Sequence, residues 1–162
     1  MIDMTLCVGP MPEQVILNSK SRRPGICGAV ETVLIDKGFY KKNGENLVDF
    51  LINNGVEVRA DTAVFKNKLI KHCKKSDFGF EFLDNILAVK VVDGIEEAII
   101  HIQEFGSEHT DCIITEEETA RDIFFRKLNS SILMSNASTQ FADGGEFGFG
   151  AEIGISTGKL HA

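Results

Sequence analysis

Apolar positions along this chain repeat with two different periods, and each change of period marks an element. Residues 31–36 hold Thr32, Val33, Leu34 and Ile35 as an unbroken apolar or β-branched run closed by Lys37-Gly38, which predicts a buried strand. Residues 46–54 set Leu47, Phe50 and Leu51 on one helical face, with Asn53-Asn54-Gly55 as the stop. Residues 56–59 alternate Val, Glu, Val, Arg, the period of a half-buried strand, and a helix is expected over 62–73. Ile86 to Val92 reads as a strand and Asp93-Gly94 as a turn. Ile95, Ala98, Ile99 and Ile102 then fall at helical spacing before Gly106. Residues 111–115 predict a strand whose Thr115 caps a helix over 116–128, where Glu116-Glu117-Glu118 suits the positive end of a helix dipole. A last strand is expected over 130–135.

Strands separated by helices of about ten residues imply parallel pairing through crossovers. The expected fold is therefore α/β, an open and mainly parallel sheet with helices on both faces. Residues 1–14 are expected to be irregular because Gly9, Pro10 and Pro12 rule out a continuous helix there. Residues 15–135 form the α/β domain, which opens on a short element over 15–21. Residues 136–162 form a glycine-rich loop and an extended arm with Ile153, Ile155 and Leu160 at apolar positions. An apolar arm without a partner is an exposed edge, so self-association is expected.

Composition narrows the class. The chain has 162 residues, 43% hydrophobic and 25% charged, as in a globular domain large enough to bury a core. The formal net charge of −7 argues against a nucleic-acid partner, and no apolar run approaches membrane-spanning length. With no signal peptide at the start, a cytoplasmic location is expected. Cys7, Cys27, Cys73 and Cys112 are scattered without metal-ligand spacing, so no metal is expected and the thiols read as reduced. His72, His101, His109 and His161 show no paired spacing and read as structural.

Candidate chemistry centres on Arg22-Arg23-Pro24-Gly25-Ile26-Cys27-Gly28-Ala29-Val30. A thiol bracketed by two glycines on a loop feeding a strand is sterically accessible. Arg22 and Arg23 stand close by, and cations favour the nucleophilic thiolate in general. The competing reading is a small buried hydrophobe, the commoner fate of a free cysteine. The glycine-rich stretch 143–154 does not match a dinucleotide fingerprint: the spacing differs and no convincing helix follows.

This segment, together with Glu81 to Val92, Phe105-Gly106-Ser107 and Asn136 to Gly154, resembles the carboxy-terminal part of the gamma-glutamyl phosphate reductases, members of the aldehyde dehydrogenase superfamily that serve proline biosynthesis. The resemblance runs from about Val15 to the last residue. It implies that Cys27 attacks the acyl carbon of L-glutamyl 5-phosphate, that phosphate leaves, and that NADPH reduces the resulting thioester to glutamate 5-semialdehyde. The backbone N–H of Cys27 would serve the oxyanion. Glu81 would hydrogen-bond the nicotinamide ribose, or is a surface carboxylate ahead of a strand. Asn136, Ser138 and Thr139 would hold the amino-acid end of the substrate, or form an ordinary turn. Gly28 stands where the family usually has asparagine, and Gln140 where it commonly has a basic residue. The resemblance covers the catalytic part alone, so the cofactor-binding domain would come from elsewhere. Expected partners are a small-molecule substrate and either further copies of the chain or a separate cofactor-domain chain. A non-catalytic remnant that folds and self-associates is the alternative.

Overall fold

In the computed structural model the described residues are 3–7 (as backbone), 12–151 and 154–157. They form a seven-stranded parallel sheet in the order β4-β3-β5-β2-β1-β6-β7. The strands are β1 (Asp3–Cys7), β2 (Val30–Asp36), β3 (Glu57–Ala60), β4 (Lys71–His72), β5 (Ile86–Val92), β6 (Thr110–Ile114) and β7 (Ile132–Ser135). The helices are α1 (Pro12–Ser21), the single turn α2 (Lys37–Phe39), α3 (Glu45–Asn53), α4 (Gly94–Phe105) and α5 (Glu118–Lys127). No helix among the described residues is long and apolar enough to cross a membrane.

Side-chain alternation along the central strands divides the core into two layers. Val33 and Ile35 of β2, Val89 of β5 and Ile114 of β6 meet Ile16 of α1 and Leu47, Val48 and Leu51 of α3 on one face. Leu34, Val92 and Ile113 point the other way and meet Ala98, Ile99 and Ile102 of α4 and Phe124 of α5. A strand covered on both faces is largely apolar, so Val33, Leu34 and Ile35 of β2 show as a run and not an alternation.

Three expectations change. The segment 1–14, expected to be irregular, contains β1, which pairs in parallel with both β2 and β6 and so lies inside the sheet. Pro12 opens α1, where the missing N–H and fixed φ of proline suit the first helical turn. The helix expected over 62–73 is instead a series of turns ending in β4. Its reason is local: the carboxylate of Asp61 accepts the Ala63 N–H at 2.8 Å and the Asn67 side chain accepts the Leu69 N–H at 2.8 Å, turn bonds that compete with a helix. Thr115 Oγ1 does accept the Glu117 N–H at 3.0 Å, though α5 starts two residues later than expected. In the tail, residues 139–141 form a 3-10 turn, and Ile153 and Leu160 of the expected arm lie outside the described residues.

Candidate functional site

Cys27 is exposed, on a short turned loop between α1 and β2 in which the Ala29 N–H donates to the Ile26 carbonyl at 3.0 Å. The chain after β7 braces this loop from below. Thr139 Oγ1 donates to the Gly28 carbonyl at 2.7 Å, and Gln140 Nε2 donates to the Ser19 carbonyl at 2.9 Å and the Arg23 carbonyl at 3.4 Å. A Cβ on Gly28 would stand 3.1 Å from the Thr139 carbonyl oxygen and 3.4 Å from Gln140 Cα. Only a glycine lets the two backbones approach this closely without displacement.

Above this brace lies a cavity of about 500 Å³ lined by Cys27, Arg23, His109, Gln140 and Asp143, with Phe147 and Phe149 on its apolar wall. It opens where strands begin: Gly28 shortly precedes β2, His109 directly precedes β6 and Ser131 directly precedes β7. Open α/β sheets commonly bind ligands at the carboxyl ends of their strands; here the exposed thiol is at the amino ends. Of the two arginines beside Cys27, Arg23 lines the cavity. Arg22 pairs with Glu146 at 2.6 Å and lies over the Phe141 ring. His109 is buried, with its Nδ1 2.9 Å from Thr110 Oγ1.

The other candidates are placed differently. Asn136 adopts φ +53° and its amide bridges the backbone of Thr115, accepting from the N–H at 2.9 Å and donating to the carbonyl at 2.8 Å. Ser138 and Thr139 are buried in the brace, where the Thr139 N–H donates to Ser19 Oγ at 3.1 Å. None of these three, and not Glu81, lines the cavity with Cys27.

Glu81 nevertheless belongs to a loop fastened beside the cysteine segment. Glu31, four residues after Cys27, is buried and accepts backbone N–H groups of Phe82 and Leu83. Its carboxylate also meets Lys20 Nζ of α1 at 2.6 Å, both side chains shut away from solvent. Burial pushes the Glu31 carboxyl up, and the Lys20 charge and hydrogen bonds only partly oppose it. The Asn85 end of the same loop receives the Ser21 hydroxyl at 2.8 Å.

His109 and Asp143 carried no sequence signal of their own. The one available clue was positional, since His109 stands directly before a strand as the Cys27 loop does, and parallel strands bring such positions to one edge.

No protein-family model matches the chain. A gamma-glutamyl phosphate reductase of Bradyrhizobium sp. strain BTAi1 is 54% identical over 153 residues, 94% of this chain and 35% of that protein. The crystal structure of gamma-glutamyl phosphate reductase from Thermotoga maritima superposes with a TM-score of 0.88 at 35% identity, covering all of this chain and 41% of its own. An acetylating aldehyde dehydrogenase of Geobacillus thermoglucosidasius, at 19% identity and a TM-score of 0.67, shares the fold. The chain spans about a third of the length of these curated relatives. By sequence and by fold the chain is similar to one part of the gamma-glutamyl phosphate reductases.

Proposed function

We propose that this chain provides the acyl-transfer half of an NADPH-dependent reduction of L-glutamyl 5-phosphate to glutamate 5-semialdehyde, a step of proline biosynthesis. The observation that carries this reading is an exposed thiol, Cys27, on a cavity that also holds Arg23, in a chain 54% identical to a gamma-glutamyl phosphate reductase. The Cys27 thiolate attacks the acyl carbon, the C–O bond to phosphate breaks, and a thioester remains on the enzyme. Covalent capture divides one difficult displacement into two easier steps. Arg23 supplies the positive charge and forked donors that a phosphate favours.

NADPH, when bound, supplies the hydride. Glu81 fits such a cofactor through its fixed place: its loop is held to Glu31 and Ser21 beside the cysteine segment, and a carboxylate accepts two hydroxyls of a ribose. The pyrophosphate finds no comparable seat among the described residues. The glycine-rich stretch runs through turns at 144–148 and a bend at 150–151, with no helix after it whose N-terminus could receive phosphate. In this reading a cofactor-binding domain completes that site, and self-association uses the surface around Phe147 and Phe149, both exposed.

The test follows the reaction backwards by NADPH absorbance. The purified chain receives glutamate 5-semialdehyde, phosphate and NADP, alone and with a supplied cofactor domain of the family. Turnover that disappears in Cys27→Ser is expected. Absence of turnover in both mixtures, from a folded protein, sinks the reading and leaves a non-catalytic remnant.

A further inference from the structure

We propose that Asp143 is a specificity residue of the Cys27 cavity, its carboxylate taking the α-ammonium of the glutamyl group whose acyl carbon meets the thiol. The inference rests on the acyl-phosphate reading above and goes beyond it by assigning the amino-acid end of the substrate. Asn136, Ser138 and Thr139, expected to hold that end, have their polar atoms engaged elsewhere. Asn136 bridges the Thr115 backbone, Ser138 Oγ accepts the Ser19 hydroxyl and the Gln140 N–H, and Thr139 Oγ1 donates to the Gly28 carbonyl. The cavity lining itself offers one carboxylate among the described residues, Asp143, and one guanidinium, Arg23. Neither enters an ion pair with another described residue, while Glu146 nearby is committed to Arg22. One cavity thus holds a positive and a negative charge that do not neutralise each other, beside an exposed thiol.

The Asp143 carboxylate is held in place by its own turn. Oδ1 accepts the Gly145 N–H at 2.7 Å and the Glu146 N–H at 3.4 Å, which leaves Oδ2 without a partner among the described residues. The Asp143 carbonyl accepts the Phe147 N–H at 3.1 Å, so one turn supplies the cavity with both an acid and part of its apolar wall. A carboxylate only accepts hydrogen bonds and an ammonium only donates them, and the charged pair bonds more strongly than neutral partners do. Asp143 is half-buried, where salt and water screen a charge less than at an open surface. With the phosphate on Arg23 and the ammonium on Asp143, the methylenes between them face Phe147 and Phe149. A cavity of about 500 Å³ suits a ligand of this size. An acyl phosphate without an amino group leaves Asp143 unmatched, so the cavity selects for the amino acid.

The test needs no cofactor. It compares two chloroketones that differ only in the amino group, L-2-amino-5-chloro-4-oxopentanoic acid and 5-chloro-4-oxopentanoic acid. In the first, the reactive carbon stands as far along from the amino-bearing carbon as the acyl carbon does in a 5-glutamyl group. With either reagent the Cys27 thiolate forms a C–S bond as the C–Cl bond breaks and chloride leaves. Labelling is followed by mass spectrometry of the Cys27 peptide, and iodoacetamide normalises thiol reactivity in each protein. The amino reagent is expected to label the wild type about tenfold faster, the scale of a hydrogen bond between charged groups, and the ratio to fall to about one in Asp143→Asn. Asparagine keeps a side-chain oxygen for the Gly145 N–H, so the turn is retained. Glu146→Gln removes the same charge from the same turn outside the cavity lining, and its ratio is expected to match the wild type. A wild-type ratio near one, a ratio that survives Asp143→Asn, or equal falls in the two variants overturns the proposal. Should Asp143→Asn fail to fold, Asp143→Ser keeps a shorter turn acceptor and is read in the same way. The reverse assay separates this outcome from the reading beneath it. Turnover that depends on Cys27, without an amino preference, refutes the role of Asp143 alone. A folded wild type without such turnover refutes the reductase reading, whatever the ratio.

Discussion

At the scale of single residues, steric room and solvation decide the outcome. Gly25 and Gly28 bracket the same cysteine, yet a Cβ at Gly25 meets nothing within 4 Å while one at Gly28 meets the backbone of Thr139. Gly28→Ala is therefore expected to cost about 1–3 kcal/mol in urea unfolding through overpacking, and Gly25→Ala close to nothing. Equal effects would show that the brace does not press on the loop. His101 on α4 offers a second test. Burial first, then the nearby Lys90, lowers its pKa from 6.5 to about 4, with Glu97 and Glu104 opposing. Its ring packs between Phe78 and Phe105, which add no charge. Because the unfolded chain takes up this proton at higher pH than the folded one, stability is present above about pH 6.5 and is lost as pH falls towards 4. Urea melts across that window should show the loss in the wild type and a flatter profile in His101→Phe. An unchanged slope would assign the pH dependence to other groups.

Between elements, the informative contact is the buried pair of Lys20 on α1 and Glu31 on β2, which also receives the 82–83 backbone. Lys20→Met leaves a buried carboxylate without its cation and is expected to destabilise by about 3–5 kcal/mol. Adding Glu31→Gln removes the stranded charge and keeps an acceptor for Phe82 and Leu83, so the double variant should recover much of the loss. A double variant as unstable as the single one would contradict this. How much of this level was legible in the sequence depended on range. Strands β2 and β5 and helices α3 and α4 could be read because their burial is written into their own periodicity. The two-residue β4 carries Lys71 and His72, both exposed, and exists only by pairing with β3. The pair Lys20–Glu31 was equally hidden, since two charges eleven positions apart resemble surface residues until the fold buries them. Cys27 was visible through its glycines. The cavity around it was not, because Arg23, His109 and Asp143 meet only when three segments converge.

For the molecule as a whole, the order of strands matters more than any contact. β1 is the only strand bonding β2 on one side and β6 on the other among the described residues, so it joins the block β4-β3-β5-β2 to the pair β6-β7. The cavity draws Cys27 from the first block and His109 and Ser131 from the second. Strand β1 thus sets the distance between the Cys27 loop and the segment that carries His109. A chain lacking residues 1–7 would have to bring β2 and β6 together directly or leave two facing edges open, and open edges invite association. It is expected to lose its single cooperative thermal transition and to aggregate, with Cys27 alkylated as fast as a free thiol. A truncated chain that still melts in one step and keeps wild-type thiol reactivity would show that the two blocks are held together by their helices. The same result would show that β1 is not what brings Cys27 and His109 to one cavity.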